Sequence, residues 1–295
     1  DMHPLTVFRL CFSFFDLWIV FLLILKLQRE QRSPWWATLY AWHPLAISEV
    51  ASSSHQDVIG IAFLLTALTI IDHLACVGKG RWRWHITKSL ACGTAFALTV
   101  AVKPLVAPLA LPIAWSLRHH ARLLFLTGIT TAVVLAALYV PFAFMDGGIG
   151  RMAETVETFV TTWAFNGSLH FIVRIIIGSK LTADVLMGLL VLVVLSVATF
   201  QRRNPWNVSG LYLLAVLLLS STVHPWYLLW ALSFVATHFR STIWVYSLTI
   251  SWSYAVLGSL PSYHLPIWVG VIEYLPVYGL LGWELIDWYK HRCNR

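Results

Sequence analysis

Residues 42–57 read Trp-His-Pro-Leu-Ala-Ile-Ser-Glu-Val-Ala-Ser-Ser-Ser-His-Gln-Asp, which sets two histidines, Glu49, Asp57 and four serines between long apolar segments. A plain connector needs only a few polar atoms, so this density of titratable groups asks for a chemical reason. A carboxylate beside an imidazole takes up or hands on a proton near neutral pH. Glu49 is the leading candidate base, and His55 and Asp57 are candidates for the base itself or for orienting it. Two of the three also have plainer readings. Ser54-x-x-Asp57 before an apolar run is a capping-box variant, and a carboxylate in a first helical turn is favoured by roughly 0.3–1 kcal/mol. His55 reads equally well as a loop residue.

A second set of residues suits an anion or a sugar. Lys103 precedes Pro104 at a helix break, where anion binding competes with snorkelling of the long side chain. His224, followed by Pro225-Trp226-Tyr227, reads either as an interfacial aromatic anchor or as a sugar or phosphate contact. Arg174 is a candidate phosphate partner, with lipid-headgroup contact as its equal. Trp163, Phe165 and Asn166 suit a sugar, since aromatic faces stack on carbohydrate and an amide bonds hydroxyls. Arg9 and Asp16, seven residues apart, form either a polar helical stripe or an internal pair. The Gly147-Gly148-Ile149-Gly150 run is no phosphate loop, because no strand precedes it and no Gly-Lys-Ser/Thr follows. The cysteines (Cys11, Cys76, Cys92, Cys293) have no metal-like spacing and imply neither disulfide nor metal. The sequons at Asn166 and Asn207 carry no weight alone.

The elements that must hold these groups follow from composition. Of the 295 residues, 59% are hydrophobic and 11% charged, and mean hydropathy is +0.74. A water-facing surface needs about 25% charged residues. Apolar runs near the ~20 residues that cross a bilayer recur along the whole chain. The expectation is an all-α, polytopic transmembrane helical bundle of about eleven spans, forming one integral-membrane domain over 1–295. The spans fall at about 5–27, 34–48, 57–76, 89–102, 105–117, 123–143, 181–200, 208–222, 226–238, 242–259 and 266–288, with a long loop at 144–180. Pro44 is expected to kink or end the second early.

The net charge of +7 is read as a topological bias rather than as a nucleic-acid footprint. Alternating spans put every lysine and arginine except Arg9, Lys103, Arg151, Arg174 and Lys180 on one side, together with the C-terminus. That side is then cytoplasmic. The 42–57 stretch, Lys103, the 144–180 loop, His224 and His264 fall together on the outer side. Three of the outer turns place a polar residue before proline: His43-Pro44, Lys103-Pro104 and His224-Pro225. Short spans meeting below that surface would leave a cavity that admits a lipid from the side.

The ordered succession Tyr40-Ala-Trp-His-Pro-Leu-Ala46 with Glu49 and His55-Gln-Asp57, then Val102-Lys-Pro-Leu105, Trp163-Ala-Phe-Asn-Gly-Ser168, Thr222-Val-His-Pro-Trp-Tyr-Leu-Leu-Trp230 and Glu273-Tyr-Leu-Pro-Val-Tyr278 resembles GT-C-type glycosyltransferases. Within these it is similar to the bacterial group around glycosyltransferase family 87 and the envelope α-mannosyltransferases. The resemblance implies a polyprenyl-phosphate sugar donor, a glycan or glycolipid acceptor, and work on the outer face of the bacterial cytoplasmic membrane. It also implies further N-terminal spans and a first outer loop with an acidic base, and the expectation is that Asp1 falls after that loop, making this chain a fragment.

The expected function is hexose transfer, mannose favoured. Glu49, His55 and Asp57 serve as base or base-orienting groups, Lys103, His224 and Arg174 hold phosphate, and Trp163 and Asn166 hold sugar. No cofactor is implied and no metal is required, although Glu49, His55 and Asp57 could hold one. The alternatives are a secondary transporter, against which stand the lack of internal repeats and the polar groups gathered at one face, and a non-catalytic lipid-binding membrane protein.

Overall fold

The computed structural model describes residues 4–75, 82–201, 204–238, 240–259 and 265–293. The basic loop around Lys79 and Arg81, the Arg202-Arg203 pair, and His264 lie outside them. The chain is all-α. It runs α1 (Pro4–Arg29), a 3-10 turn (Pro34–Ala37), α2 (Thr38–Ala41), α3 (Pro44–Ala46), a wide π turn (Ile47–Ser52), α4 (Asp57–Ala75) and α5 (Trp82–Val102). A 3-10 turn (Pro104–Leu109) leads into α6 (Ala110–Leu117), α7 (Ala121–Ala143), α8 (Gly148–Thr161), α9 (Leu169–Ile177), α10 (Lys180–Phe200) and α11 (Pro205–Leu219). A 3-10 turn (Pro225–Tyr227), α12 (Leu228–Leu232), α13 (Ser241–Thr249), another 3-10 stretch (Ile250–Ser259) and α14 (Ile267–Cys293) complete it.

Among the described residues, six helices are long and apolar enough to cross a membrane: α1, α4, α5, α7, α10 and α14. Pro104–Leu117 and Pro205–Leu219 are shorter apolar helices. The expected second span is instead four short pieces broken at Pro34 and Pro44, and the expected ninth is a turn plus five-residue α12. The 144–180 loop is not bare: it holds the amphipathic α8 and α9.

Each X-Pro break has the same local cause. His43, Lys103 and His224 all adopt extended backbone, and the proline after each opens a new helical turn. Proline drives its predecessor out of the helical region and pre-sets its own φ for the next turn. His43 consolidates its break: Nδ1 accepts from the Leu45 N–H at 3.2 Å and Nε2 lies 3.0 Å from Ser247 Oγ.

Helix α4 is the axis of the core, packed on α1, α5, α6 and α12. Small residues permit its closest approaches. A Cβ on Gly60 would sit 2.6 Å from Trp230 Cη2, so only glycine lets that indole lie against α4. A Cβ on Gly93 would meet the Thr127 carbonyl at 2.5 Å, and there Thr131 Oγ1 bonds the Gly93 carbonyl across the α5–α7 contact. At ~1.5 Å per residue, the 19 residues of α4 hold its ends about 28 Å apart. The far end carries Lys26 bonded to Asp72 (2.5 Å) and Glu30 (3.2 Å), with Arg29 on His73 (3.2 Å). Asp57 begins the other end.

Candidate functional site

Asp57 faces across the bundle rather than back onto its own helix. Its Oδ1 accepts from Lys103 Nζ at 2.7 Å and from Trp230 Nε1 at 2.6 Å. The capping box does not form: Ser54 sits at φ +59° with a buried, unpartnered hydroxyl. Asp57 starts the helix, but its carboxylate is spent on long-range partners. Lys103 Nζ also lies 3.4 Å from the centroid of the Tyr227 ring, a cation–π contact. Burial pulls the Lys103 pKa below its ordinary value, and the adjacent Asp57 carboxylate acts in the opposite sense.

The π turn positions Glu49. Ser53 N bonds Ser48 O (2.9 Å) and His55 N bonds Glu49 O (2.9 Å), which widens the turn and folds His55 back over the carboxylate. Such wide turns frequently mark functional positions. Glu49 is 1% exposed. Its Oε1 accepts from Tyr254 Oη at 2.5 Å, and its Oε2 lies 3.2 Å from His55 Nε2. That second contact is a close approach without hydrogen-bond alignment. His55, the more exposed of the two, meets solvent.

A run of stacked rings joins this pair to the 163–168 segment. His55 stacks on Trp226 (4.1 Å, 12°), Trp226 on His224 (4.5 Å, 2°), and His224 on Phe165 (4.8 Å, 18°). Trp163 meets His224 edge-on at 6.5 Å and is 51% exposed. Burial lowers the His224 pKa to about 4, aided by Lys103 and His55 and opposed by Asp57. His224 is therefore neutral at pH 7 and can serve an anion as an N–H donor, not as a cation.

The 163–168 segment is strapped down from α11, α14 and the 220–223 turn. Phe165 exchanges backbone bonds with Ser221 (3.0 Å) and Val223 (2.8 Å). Asn166 adopts φ +54°, its Nδ2 donates to Glu273 Oε2 at 2.7 Å, and its carbonyl accepts from Tyr274 Oη at 2.5 Å. Ser168 Oγ pairs with Tyr278 Oη at 2.5 Å. The Asn166 amide nitrogen is thus engaged by Glu273.

Of the residues expected at a site, Glu49, His55, Asp57, Lys103, His224, Trp163 and Asn166 converge on one end of the bundle. Arg174 does not join them. It is exposed on α9, where its charge acts on His170, itself 2.9 Å from Asp184. Asp16 pairs with Tyr40 Oη (2.8 Å), not with Arg9. Tyr254, Trp230 and Glu273 have contacts that sequence reasoning missed. Glu273 carried a readable signal, a carboxylate inside an apolar span. Tyr254 and Trp230 carried none, being two aromatics among many. Among the described residues, no group of three or more His, Cys, Asp or Glu could hold a metal.

Comparison with known proteins adds one finding. Residues 174–272 match the family model of the MptB C-terminal domain. The match is to a mannosyltransferase-like membrane family. It spans His224, Trp226, Trp230 and Tyr254, whereas Glu49, Asp57 and Lys103 lie before it. Neither a curated protein nor a solved structure matches the chain.

Proposed function

We propose that this chain is a membrane glycosyltransferase that moves a hexose, mannose foremost, from a polyprenyl-phosphate sugar to a hydroxyl of an envelope glycan or glycolipid. The reaction runs on the extracytoplasmic face of the bacterial cytoplasmic membrane, with the C-terminus inside. The observation that carries this reading is the convergence at one bundle end of a carboxylate–imidazole pair, a half-buried ammonium and an aromatic floor. The similarity of residues 174–272 to a mannosyltransferase-like family supports it.

Roles follow from the geometry. With Nε2 3.2 Å from Glu49 Oε2, the His55 ring leaves Nδ1 to take the hydroxyl proton. Glu49 then stabilises the imidazolium that forms, the relation of carboxylate to histidine in hydrolytic triads. Lys103, with one N–H committed to Asp57, retains N–H groups for the departing phosphate, beside the neutral donor His224. Asp57 and Trp230 set the ammonium's position. Trp163 offers its face to the sugar, and Asn166 holds the strap that carries Trp163. Removing the proton-transfer pair should cost ~10²–10⁴-fold in rate.

Donor chemistry is the test. Purified protein in nanodiscs is offered mannose on a polyprenyl phosphate and, separately, mannose on a nucleoside diphosphate, with a glycolipid acceptor. Transfer from the lipid donor alone is expected. Transfer from the nucleotide donor, or from neither, overturns the reading.

A further inference from the structure

The segment that holds Glu49 has a second face. His43, Leu45, Ala46, Glu49 and Val50 turn inward, while Trp42, Ile47, Ser48 and Ser52 face outward. These outward residues and Arg9 of α1 line one open groove. Arg9 stands four residues inside the Leu5–Arg29 span, about 6 Å along the helix from its start. It has no carboxylate or hydrogen-bond partner among the described residues, since Asp16, the acidic residue of its own helix, is engaged by Tyr40. A cation at that depth is costly unless it reaches water or meets an anion.

The groove supplies what a lipid phosphate needs. Ser48 and Ser52 stand one turn apart on the wall facing Arg9, and the indole of Trp42 is 79% exposed beside them. Leu5 and Phe8 continue the apolar flank along α1, both exposed. One guanidinium fork matches the single charge of a phosphodiester; the Ser52 hydroxyl can donate to a remaining oxygen, and the Ser48 hydroxyl can do so by turning from the Leu45 carbonyl, to which it donates at 3.2 Å. We infer that this groove binds the phosphodiester of an anionic glycerophospholipid of the surrounding bilayer, with its chains along α1. A sugar-donor lipid fits the groove poorly. The carbon bonded to its phosphate must reach Glu49 and His55, which lie on the opposite wall of the π turn. A phospholipid seated here braces the outer face of the turn whose inner face presents Glu49.

The test uses the whole chain, delipidated in detergent, with retained lipid counted by native mass spectrometry. The probes are phosphatidylglycerol, a synthetic polyprenyl phosphodiester and inorganic phosphate. Arg9→Ala is expected to weaken phosphatidylglycerol retention about tenfold, the size of one charge-assisted bond, while Arg9→Lys keeps part of it. A Ser48→Ala, Ser52→Ala double variant with an unchanged elution profile should also retain less, which guards against a folding defect in Arg9→Ala. Inorganic phosphate at millimolar concentration should not compete. Equal retention by wild type, Arg9→Ala and the double serine variant overturns the inference. So does displacement of phosphatidylglycerol by the polyprenyl probe, which would make the groove a donor site. Retention is read without sugar transfer, so failure of the enzymatic reading leaves this result standing.

Discussion

The Asp57–Lys103 pair gives the sharpest energetic expectation, because each partner is nearly buried and each has further contacts: the Trp230 N–H for Asp57, the Tyr227 and Trp230 rings for Lys103. Their side chains are 11% and 17% exposed, and Nζ lies 2.7 Å from Oδ1. Lys103→Met strands a carboxylate with only the Trp230 N–H to answer it. Breaking a buried pair costs ~3–5 kcal/mol, and the residual exposure with the indole bond should bring this to about 2–3 kcal/mol. Asp57→Asn keeps an acceptor for Trp230 Nε1 and leaves Lys103 the Tyr227 ring, so about 1–2 kcal/mol is expected. In the double variant neither charge is stranded, and its loss should fall short of the sum by about 2 kcal/mol, a coupling typical of contacting residues. Unfolding by SDS titration in mixed micelles, followed by tryptophan fluorescence, measures all four corners. Losses that add within about 0.5 kcal/mol would refute the coupling, and with it the view that Asp57 sets the ammonium in place.

Three further expectations are open to simpler measurement. Gly60→Ala puts a Cβ against Trp230, so the indole must move off Asp57 and about 1–3 kcal/mol of stability should go in the same titration. His224 ordinarily titrates near 6.5 but here near 4, so the unfolded chain binds its proton first. This residue's contribution is fully present above pH 6.5 and is lost as pH falls towards 4; His224→Gln should flatten part of that acid decline in melting temperature. Glu273→Ala strands the Asn166 amide and should speed proteolysis within 163–168, whereas Glu273→Gln keeps an acceptor and should resemble wild type.

What the sequence made legible was whatever is written in local chemistry. The long spans follow from composition, and the three X-Pro breaks follow from proline sterics, which is why His43, Lys103 and His224 end up at helix breaks. The carboxylate-rich 42–57 stretch stood out because charge is scarce around it. What remained hidden was every pairing across the chain. Asp57 meets Trp230 over a separation of 173 residues, and Glu49 meets Tyr254 over 205. No periodicity encodes such contacts, and one tryptophan among 16 looks like another. The capping-box expectation failed for the same reason: a local partner was available to Asp57, but two buried donors outcompeted it. The short second and ninth spans were overcalled because hydropathy does not register how often a segment is broken.

The central claim is that the Glu49–His55 pair and Lys103 share one reaction. Initial rates of mannose transfer from a polyprenyl-phosphate donor, measured for wild type, Glu49→Gln, His55→Gln and Lys103→Met at matched folded amounts, test it directly. The account predicts transfer by wild type, a loss of about 10²–10⁴-fold in Glu49→Gln and His55→Gln, and a comparable loss in Lys103→Met. Wild-type rates in all three variants, with the fold intact, would contradict it.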